Sequence, residues 1–250
     1  MKIQKTVIMA GLLTIVACQA SASIVTNGDF ATGDFTGWGT PIGNAQVQSS
    51  SIGGLPQPHN FGATPSPATH HAILGSGTLP QDQLLGGTAV SASSLENFLG
   101  LTGGTLATIN GGIAGSGSAI KQTFTAAAGS QLSFNWNFFN SADPRNPQQD
   151  MAFAVLDNVF YFLANTKSPL VPSNSPFMYD ETGYQSTLIN ILSSGPHTIG
   201  FSIVDGDAMG GSALALTNVQ LNAVPLPAAC WLFLIGVVGL FKCSHQFKHA

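Results

Sequence analysis

The feature that most constrains the fold is an alternation of apolar and polar residues with a period of two. In Gln131–Phe139, the apolar residues Leu132, Phe134, Trp136 and Phe138 are separated by polar or smaller side chains. Successive side chains of a β-strand point to opposite faces of a sheet, whereas a helix repeats every 3.6 residues. The segment therefore predicts a half-buried strand, with Trp136 on its core-facing side.

Other segments of the second half have strand character too. The alternating ones are Ala119–Ala126, His197–Asp205 and Ser212–Leu221, the last with a slip near Thr217, and Met151–Phe162 is a nearly continuous apolar run. Many short strands separated by turn residues are typical of antiparallel sandwiches. The predicted fold class is all-β, an antiparallel β-sandwich or jelly roll.

One short helix is expected in the first half, although Gly, Pro, Ser and Asn recur there and disfavour long helices. Ser93-Ser94-Leu95-Glu96 has the spacing of a capping box, in which Ser93 would begin the helix. Gly100 can end it, because glycine adopts the left-handed conformation that closes many helices.

Charge and cysteine content set the middle of the chain apart from its two ends. The segment 23–223 contains three basic and all eleven acidic residues, which gives it a net charge of −8. Such a surface repels nucleic acid and anionic lipid, and favours divalent cations and neutral glycans. All three cysteines lie outside this segment, so it has no disulfide framework or thiolate metal site.

The N-terminal residues 1–22 have the order of parts of a signal peptide. Lys2 and Lys5 precede a short apolar run, and Ala20-Ser21-Ala22 provides small residues for cleavage between Ala22 and Ser23. A competing interpretation is a lipobox at Ile15–Cys18, which would leave a lipid on Cys18. Either route predicts export through the inner membrane.

The C-terminal residues 224–250 form a distinct segment. Val224, Pro225, Leu226 and Pro227 precede an apolar run that ends at Phe241, and lysines and histidines follow. The 16 residues 226–241 would span about 24 Å as a helix, against about 30 Å for a bilayer core. We expect a short transmembrane helix, held in the inner membrane before processing. Lys242 and Lys248 at one end of the chain, and Lys2 and Lys5 at the other, predict that both termini are cytoplasmic and that the middle segment is translocated.

The order of these C-terminal parts resembles the PEP-CTERM sorting domain of Gram-negative bacteria, with Val-Pro-Leu-Pro in place of the common Val-Pro-Glu-Pro. The resemblance implies recognition by an exosortase-type sorting enzyme, delivery to the cell surface or the medium, and an association with exopolysaccharide. An ordinary anchor helix is the alternative.

The middle segment 23–223 resembles galactose-binding-like jelly rolls. The similarity lies in Asn27–Phe30, which would form the first strand, in Gly33–Trp38, and in later segments such as Leu132–Phe138. Such domains often carry an acidic residue soon after the Trp-Asn-Phe strand and Asp-Asn-Val in the last strand. This chain has Asn140-Ser141 and Thr217-Asn218-Val219 there, which weakens any inherited calcium site.

Calcium is the expected metal, because it prefers carboxylate, amide and carbonyl oxygens presented by loops. The candidate ligands are Asn27, Asp29, Asp150, Asp205 and Asp207, and the alternative is that they are turn-forming residues. Paired histidines do not predict zinc, since the adjacent His70 and His71 would point to opposite faces of a strand.

Trp38 is the candidate for contact with a glycan, because it follows glycines in a predicted loop. No catalytic set is recognisable: the chain has neither a Gly-x-Ser-x-Gly elbow nor a phosphate-binding loop. The predicted function is that of a non-catalytic surface or extracellular-matrix protein, sorted by its C-terminal segment and associated with extracellular polysaccharide. The alternative is a carbohydrate-binding module that recognises a specific glycan.

Overall fold

The computed structural model describes residues 24–49, 61, 64–65, 67–77, 87–141, 149–173, 175, 178–206 and 211–222. The predicted signal peptide with its Ala22–Ser23 cleavage point, the sorting segment 224–250 and Asp207 lie outside the described residues. Within them, no helix has the length and apolar character needed to cross a membrane.

The described residues form two antiparallel sheets. The strands are β1 (Asn44–Ser49), β2 (His70–Gly75), β3 (Val90–Ser91), β4 (Ser116–Ala126), β5 (Gln131–Asn140), β6 (Met151–Leu156), β7 (Val159–Asn165), β8 (Val171–Pro172), β9 (Asp180–Glu181), β10 (Gln185–Asn190), β11 (Gly195–Val204) and β12 (Ser212–Asn222). The larger sheet has the order β1-β2-β12-β5-β9-β8, with β10 also paired to β5, and the smaller has the order β3-β4-β11-β6-β7.

The main core lies between the two sheets. It is formed by the side chains that the alternating patterns placed on one face, among them Phe134 and Phe138 from β5 and Phe201 from β11. The rings of Phe134 and Phe201 meet edge to face across the sandwich, with their centroids 4.8 Å apart. The predicted sandwich architecture is therefore confirmed for the described residues.

The strand predictions hold where alternation was clear and fail where the apolar run was continuous. Met151–Phe162 is not one strand but the hairpin β6–β7, turned at Asp157 and Asn158, whose φ angles are 50° and 68°. Two consecutive left-handed residues are what a two-residue hairpin turn of type I′ requires, and Asp-Asn tolerates that conformation. The slip near Thr217 is confirmed as an irregularity of β12 between Thr217 and Gln220.

The predicted helix forms, but with a different cap. Helix α1 covers Ala92–Leu99, and Ser91, not Ser93, accepts the hydrogen bond from Ser94 N at its N-terminus. Gly100 closes the helix with φ of 73°, as expected. Glu96 reaches away from its own helix: its carboxylate accepts hydrogen bonds from Gly104 N and Leu106 N at the start of α2 (Thr105–Ile109).

The predicted first strand at Asn27–Phe30 is a loop instead. Asn27 and Phe30 have φ of 49° and 55°, which no strand residue adopts, and the loop is closed by a hydrogen bond from Phe30 N to Asn27 O. The loop still lies beside the last strand, because Val219 N donates to Gly28 O. A Cβ atom at Gly28 would lie 1.9 Å from the Val219 oxygen, so only glycine permits this approach.

Candidate functional site

The outer face of the larger sheet carries a row of side-chain amides. Cross-strand pairing aligns Gln46 with Ile73, Ile73 with Ala215, and Ala215 with Asn137, so that these residues form one line across four strands. Directly paired residues of antiparallel strands project from the same face. In the neighbouring line, Gln48 is paired with His71 and Asn135 with Thr217. We call Gln46, Gln48, Asn135, Asn137 and Asn218 the amide face.

Asn218 joins this face because β12 is irregular at its position. Asn218 has a φ of 52°, and the register of β12 against β5 shifts between Thr217 and Gln220. Such bulges redirect a side chain that regular alternation would send elsewhere. The Asn218 amide nitrogen donates to Asn135 Oδ1 at 3.0 Å, which fixes its side chain beside β5.

Three buried atoms of the amide face have no hydrogen-bond partner. They are Gln46 Oε1, Gln48 Nε2 and Asn218 Oδ1, and no other buried side-chain nitrogen or oxygen of the described residues is in this state. A buried polar group without a partner costs about 1–3 kcal/mol. Buried groups of this kind are rare in folded proteins, so the presence of three on one face makes the amide face the candidate binding site.

The rest of the outer face is covered by aromatic and apolar side chains. Phe61 packs edge to face on Phe139 with centroids 5.3 Å apart, and Met178 joins the same cluster. His71 and Tyr184 share a hydrogen bond of 2.7 Å. Burial lowers the pKa of His71 to about 4, with a smaller effect from His70, and burial also raises the pKa of Tyr184. Both groups are therefore neutral at physiological pH, and so are the amides beside them.

The candidate calcium ligands are divided between two places. Asp150 is buried and accepts hydrogen bonds from Gly206 N at 3.0 Å and from Ser212 Oγ at 2.7 Å, and the buried Asp205 lies next to Gly206. Asn27 and Asp29 flank Gly28, which accepts a hydrogen bond from Val219 N. Val219 is seven residues further along β12 than Ser212, or about 23 Å at the rise of a strand. The structure thus brings Asp150 and Asp205 together but not Asn27 and Asp29 with them.

Asn27 and Asp29 are both used by their own loop. The Asn27 amide donates to Asp34 O and Thr36 O, both at 3.0 Å, and Asp29 Oδ1 accepts from Ala31 N. These contacts are those of turn-forming residues. Among the described residues, no group of three or more His, Cys, Asp or Glu side chains is placed to hold a metal ion.

Trp38 is in the core, which corrects its assignment as a glycan contact. Its side chain is only 7% exposed, stacks on Phe30 with centroids 5.3 Å apart, and donates from Nε1 to Asn27 O at 3.1 Å. An indole covered in this way has no open face for a sugar ring. Trp136 is buried as predicted, and its Nε1 donates to Thr187 Oγ1 at 2.8 Å.

A histidine–aspartate pair was not recognised in the sequence. His197 Nδ1 lies 2.5 Å from Asp157 Oδ2, which resembles the base and orienting residue of a catalytic triad. The second ring nitrogen, Nε2, lies 3.0 Å from the carbonyl oxygen of Ser193 rather than from a hydroxyl or thiol. The ring is also buried, so the pair joins the β6–β7 turn to β11, and no hydroxyl or thiol of the described residues is hydrogen-bonded to it.

No family model and no curated protein matches the chain. Several solved structures are similar in their chain path. TmCBM61 in complex with β-1,4-galactotriose has a TM-score of 0.39 and 10% identity, covering 80% of this chain and 97% of that one. The enzymatically active domain of tailspike protein 4 of bacteriophage CBA120 has a TM-score of 0.36 and 13% identity, covering 80% and 21%. A family 35 carbohydrate binding module from an environmental isolate has a TM-score of 0.22 and 14% identity, covering 46% and 74%. At such low identities and TM-scores, these similarities give no information about the ligand or the activity of this chain.

The amide face could have been found in part from the sequence. In Asn44–Ser49, Ala45 and Val47 alternate with Gln46 and Gln48, which is the pattern of a strand with an amide-bearing outer side. The break in alternation near Thr217 indicated the bulge of β12, but it did not predict on which face of the sheet the Asn218 side chain would lie. The pairing of these distant segments had no signal in the sequence, because cross-strand register depends on the whole sheet.

Proposed function

We propose that the protein is an exported, non-catalytic surface or extracellular-matrix protein whose β-sandwich binds neutral polysaccharide on the amide face. The observation that carries this proposal is the set of three buried and unpartnered amide atoms at Gln46, Gln48 and Asn218. They lie on one sheet face beside the neutral His71 and Tyr184, and the Glu181 carboxylate of that face accepts a hydrogen bond from Asn137 Nδ2 at 2.7 Å.

Sugar hydroxyl groups suit such a face, because each hydroxyl both donates and accepts hydrogen bonds. An unpartnered amide oxygen needs a donor and an unpartnered amide nitrogen needs an acceptor, and a hydroxyl supplies either. Gln46 and Gln48 lie on the edge strand β1 and are half-buried, so rotation of their side chains can bring these atoms to a ligand. The net charge of −8 over residues 23–223 disfavours nucleic acid as a partner.

Affinity electrophoresis of the purified protein in gels containing galactan, glucan or mannan tests this proposal. We expect retardation by at least one of these neutral polysaccharides, and a roughly tenfold weaker effect for the double variant Gln46→Ala/Gln48→Ala, which removes two amides. Gln185→Ala is the matched control. Gln185 is exposed on the edge strand β10 and is paired with the inward-facing Trp136, so it lies on the opposite side of the sheet.

Two results would contradict the assignment. The first is migration unaffected by every neutral polysaccharide, which would leave a purely structural matrix role. The second is retardation of the double variant equal to that of the wild type, which would place glycan binding elsewhere on the molecule.

Export and sorting form the second part of the proposal, and they rest on the two ends of the sequence. Mass spectrometry of the protein from native cells should find Ser23 at the new N-terminus and no residues beyond the Pro225–Pro227 region. An N-terminus at Cys18 carrying a lipid would favour the lipobox interpretation. Intact Lys248 on the surface-exposed form would contradict processing by an exosortase-type enzyme.

A further inference from the structure

A small pocket lies on the opposite side of the sandwich from the amide face. It is formed where the end of α1 meets β4, β11 and the β6–β7 turn, and its volume is about 220 Å³. The polar side chains that line it are Asn97, Lys121, Asn158 and Thr198. Pockets for drug-sized ligands have volumes of roughly 300–1,000 Å³. This pocket therefore fits a single small group, such as one sugar ring.

Lys121 gives the pocket a positive charge. Its Nζ donates to Phe98 O at 2.7 Å and lies 4.4 Å from the centroid of the Phe98 ring. Among the described residues, no carboxylate forms an ion pair with Lys121. An ammonium group has three donors, so two remain after the bond to Phe98.

The other side chains that line the pocket are uncharged. The amides of Asn97 and Asn158 have no hydrogen-bond partner among the described residues and are exposed, so both can bind a ligand. Asn158 is held at the pocket by its place in the hairpin turn, and a Cβ atom at Gly100 would come within 2.9 Å of its Oδ1. The neighbouring Asp157 carboxylate is already engaged by His197 and by Thr198 N at 2.8 Å.

We propose that this pocket binds a carboxylated sugar. The Lys121 ammonium holds the carboxylate, while the amides of Asn97 and Asn158 and the hydroxyl of Thr198 bind the sugar hydroxyl groups. The charges that act most strongly on a single bound carboxylate are those within about 8 Å of it, because charges farther away are largely screened at physiological salt. This site is separate from the amide face and does not depend on it.

Nuclear magnetic resonance titration of the full chain with D-glucuronate, D-glucose and acetate tests the proposal. We expect glucuronate to shift the backbone amide signals of Thr198 and Gly200. Glucose should bind at least roughly tenfold more weakly, because it lacks the hydrogen bond to a charged group. Acetate should also bind more weakly, because it lacks the sugar hydroxyl groups. Lys121→Met keeps most of the side-chain stem and should remove the preference for glucuronate over glucose. Lys167→Met, at an exposed lysine outside the pocket, should keep it.

A second variant and a salt series cover the case in which Lys121→Met fails to fold. Asn158→Gly preserves the left-handed turn residue but removes the amide, and it should weaken glucuronate binding. Raising the ionic strength from about 0.01 M to about 1 M should weaken binding of glucuronate and not that of glucose. The proposal is overturned by equal affinity for glucose and glucuronate, by acetate binding as strongly as glucuronate, or by a preference that survives in Lys121→Met. Gln46→Ala/Gln48→Ala should leave this titration unchanged, so failure here is distinguishable from failure at the amide face.

Discussion

Replacing Trp38 with alanine should destabilise the domain as strongly as a typical core truncation. The side chain is 7% exposed and contacts both Phe30 and Phe201. Truncation of a buried tryptophan costs about 3–5 kcal/mol, and loss of the hydrogen bond to Asn27 O adds about 1 kcal/mol. Since whole domains are stable by about 5–15 kcal/mol, the variant should lose a large part of its stability.

Urea denaturation followed by far-ultraviolet circular dichroism measures this loss without relying on tryptophan fluorescence. With a denaturant slope of about 1–3 kcal/mol per molar urea, a loss of about 4 kcal/mol lowers the midpoint by about 2 M. Tyr179→Ala is a suitable control, because Tyr179 is an aromatic residue that is 71% exposed. Its midpoint should correspond to a change within about 0.5 kcal/mol.

The result that would refute this reasoning is a Trp38→Ala protein that unfolds at the wild-type midpoint. Loss of polysaccharide binding in that same stable variant would show that the indole faces solvent and stacks on a sugar. Trp136→Ala offers a parallel test, since Trp136 is equally buried and has its own hydrogen bond to Thr187.

Three further predictions concern single groups. Glu96→Gln should cost about 2–3 kcal/mol in urea denaturation, because an amide cannot accept from both Gly104 N and Leu106 N; a change below about 0.5 kcal/mol would contradict the capping role. Stability should fall as the pH drops from about 6.5 to about 4, because the unfolded state protonates His71 while the folded state, with a pKa of about 4, does not. The loss should reach about 3 kcal/mol and be absent in His71→Gln, and an unchanged pH profile in that variant would contradict it. If calcium binds near Asp150 and Asp205, millimolar calcium should raise the Tm relative to chelator, and equal Tm values would exclude the site.

The sequence predicted the sandwich well because its long strands are half-buried and alternate. β5, β11 and the first part of β12 were recognisable for that reason. Met151–Phe162 was not resolved into β6 and β7, because both faces of β6 are buried, one on the main core and one under α1, so its residues are apolar without a break. A continuous apolar run conceals the turn inside it.

The site was less predictable than the fold, because it depends on residues brought together from distant segments. Glu96 shows why local pattern is insufficient: its spacing from Ser93 is that of a capping box, yet its carboxylate serves the next helix. Trp38 was placed in a loop correctly, but the loop folds inward and covers it with Phe30. Loop residues have no periodicity that distinguishes an inward from an outward side chain.

The position of β12 also determines how the molecule responds to mechanical load. β12 is an interior strand of the larger sheet, hydrogen-bonded to β2 on one side and β5 on the other, and it is the last described strand before the chain continues beyond Asn222. Tension applied to the chain beyond Asn222 therefore enters the sheet along an interior strand rather than at an edge. Extraction of β12 would require two ladders to shear together, and rupture of the contact between Gly28 and Val219 as well. A domain attached in this way resists pulling at its C-terminal side more strongly than one attached through an edge strand, which can be peeled off one bond at a time.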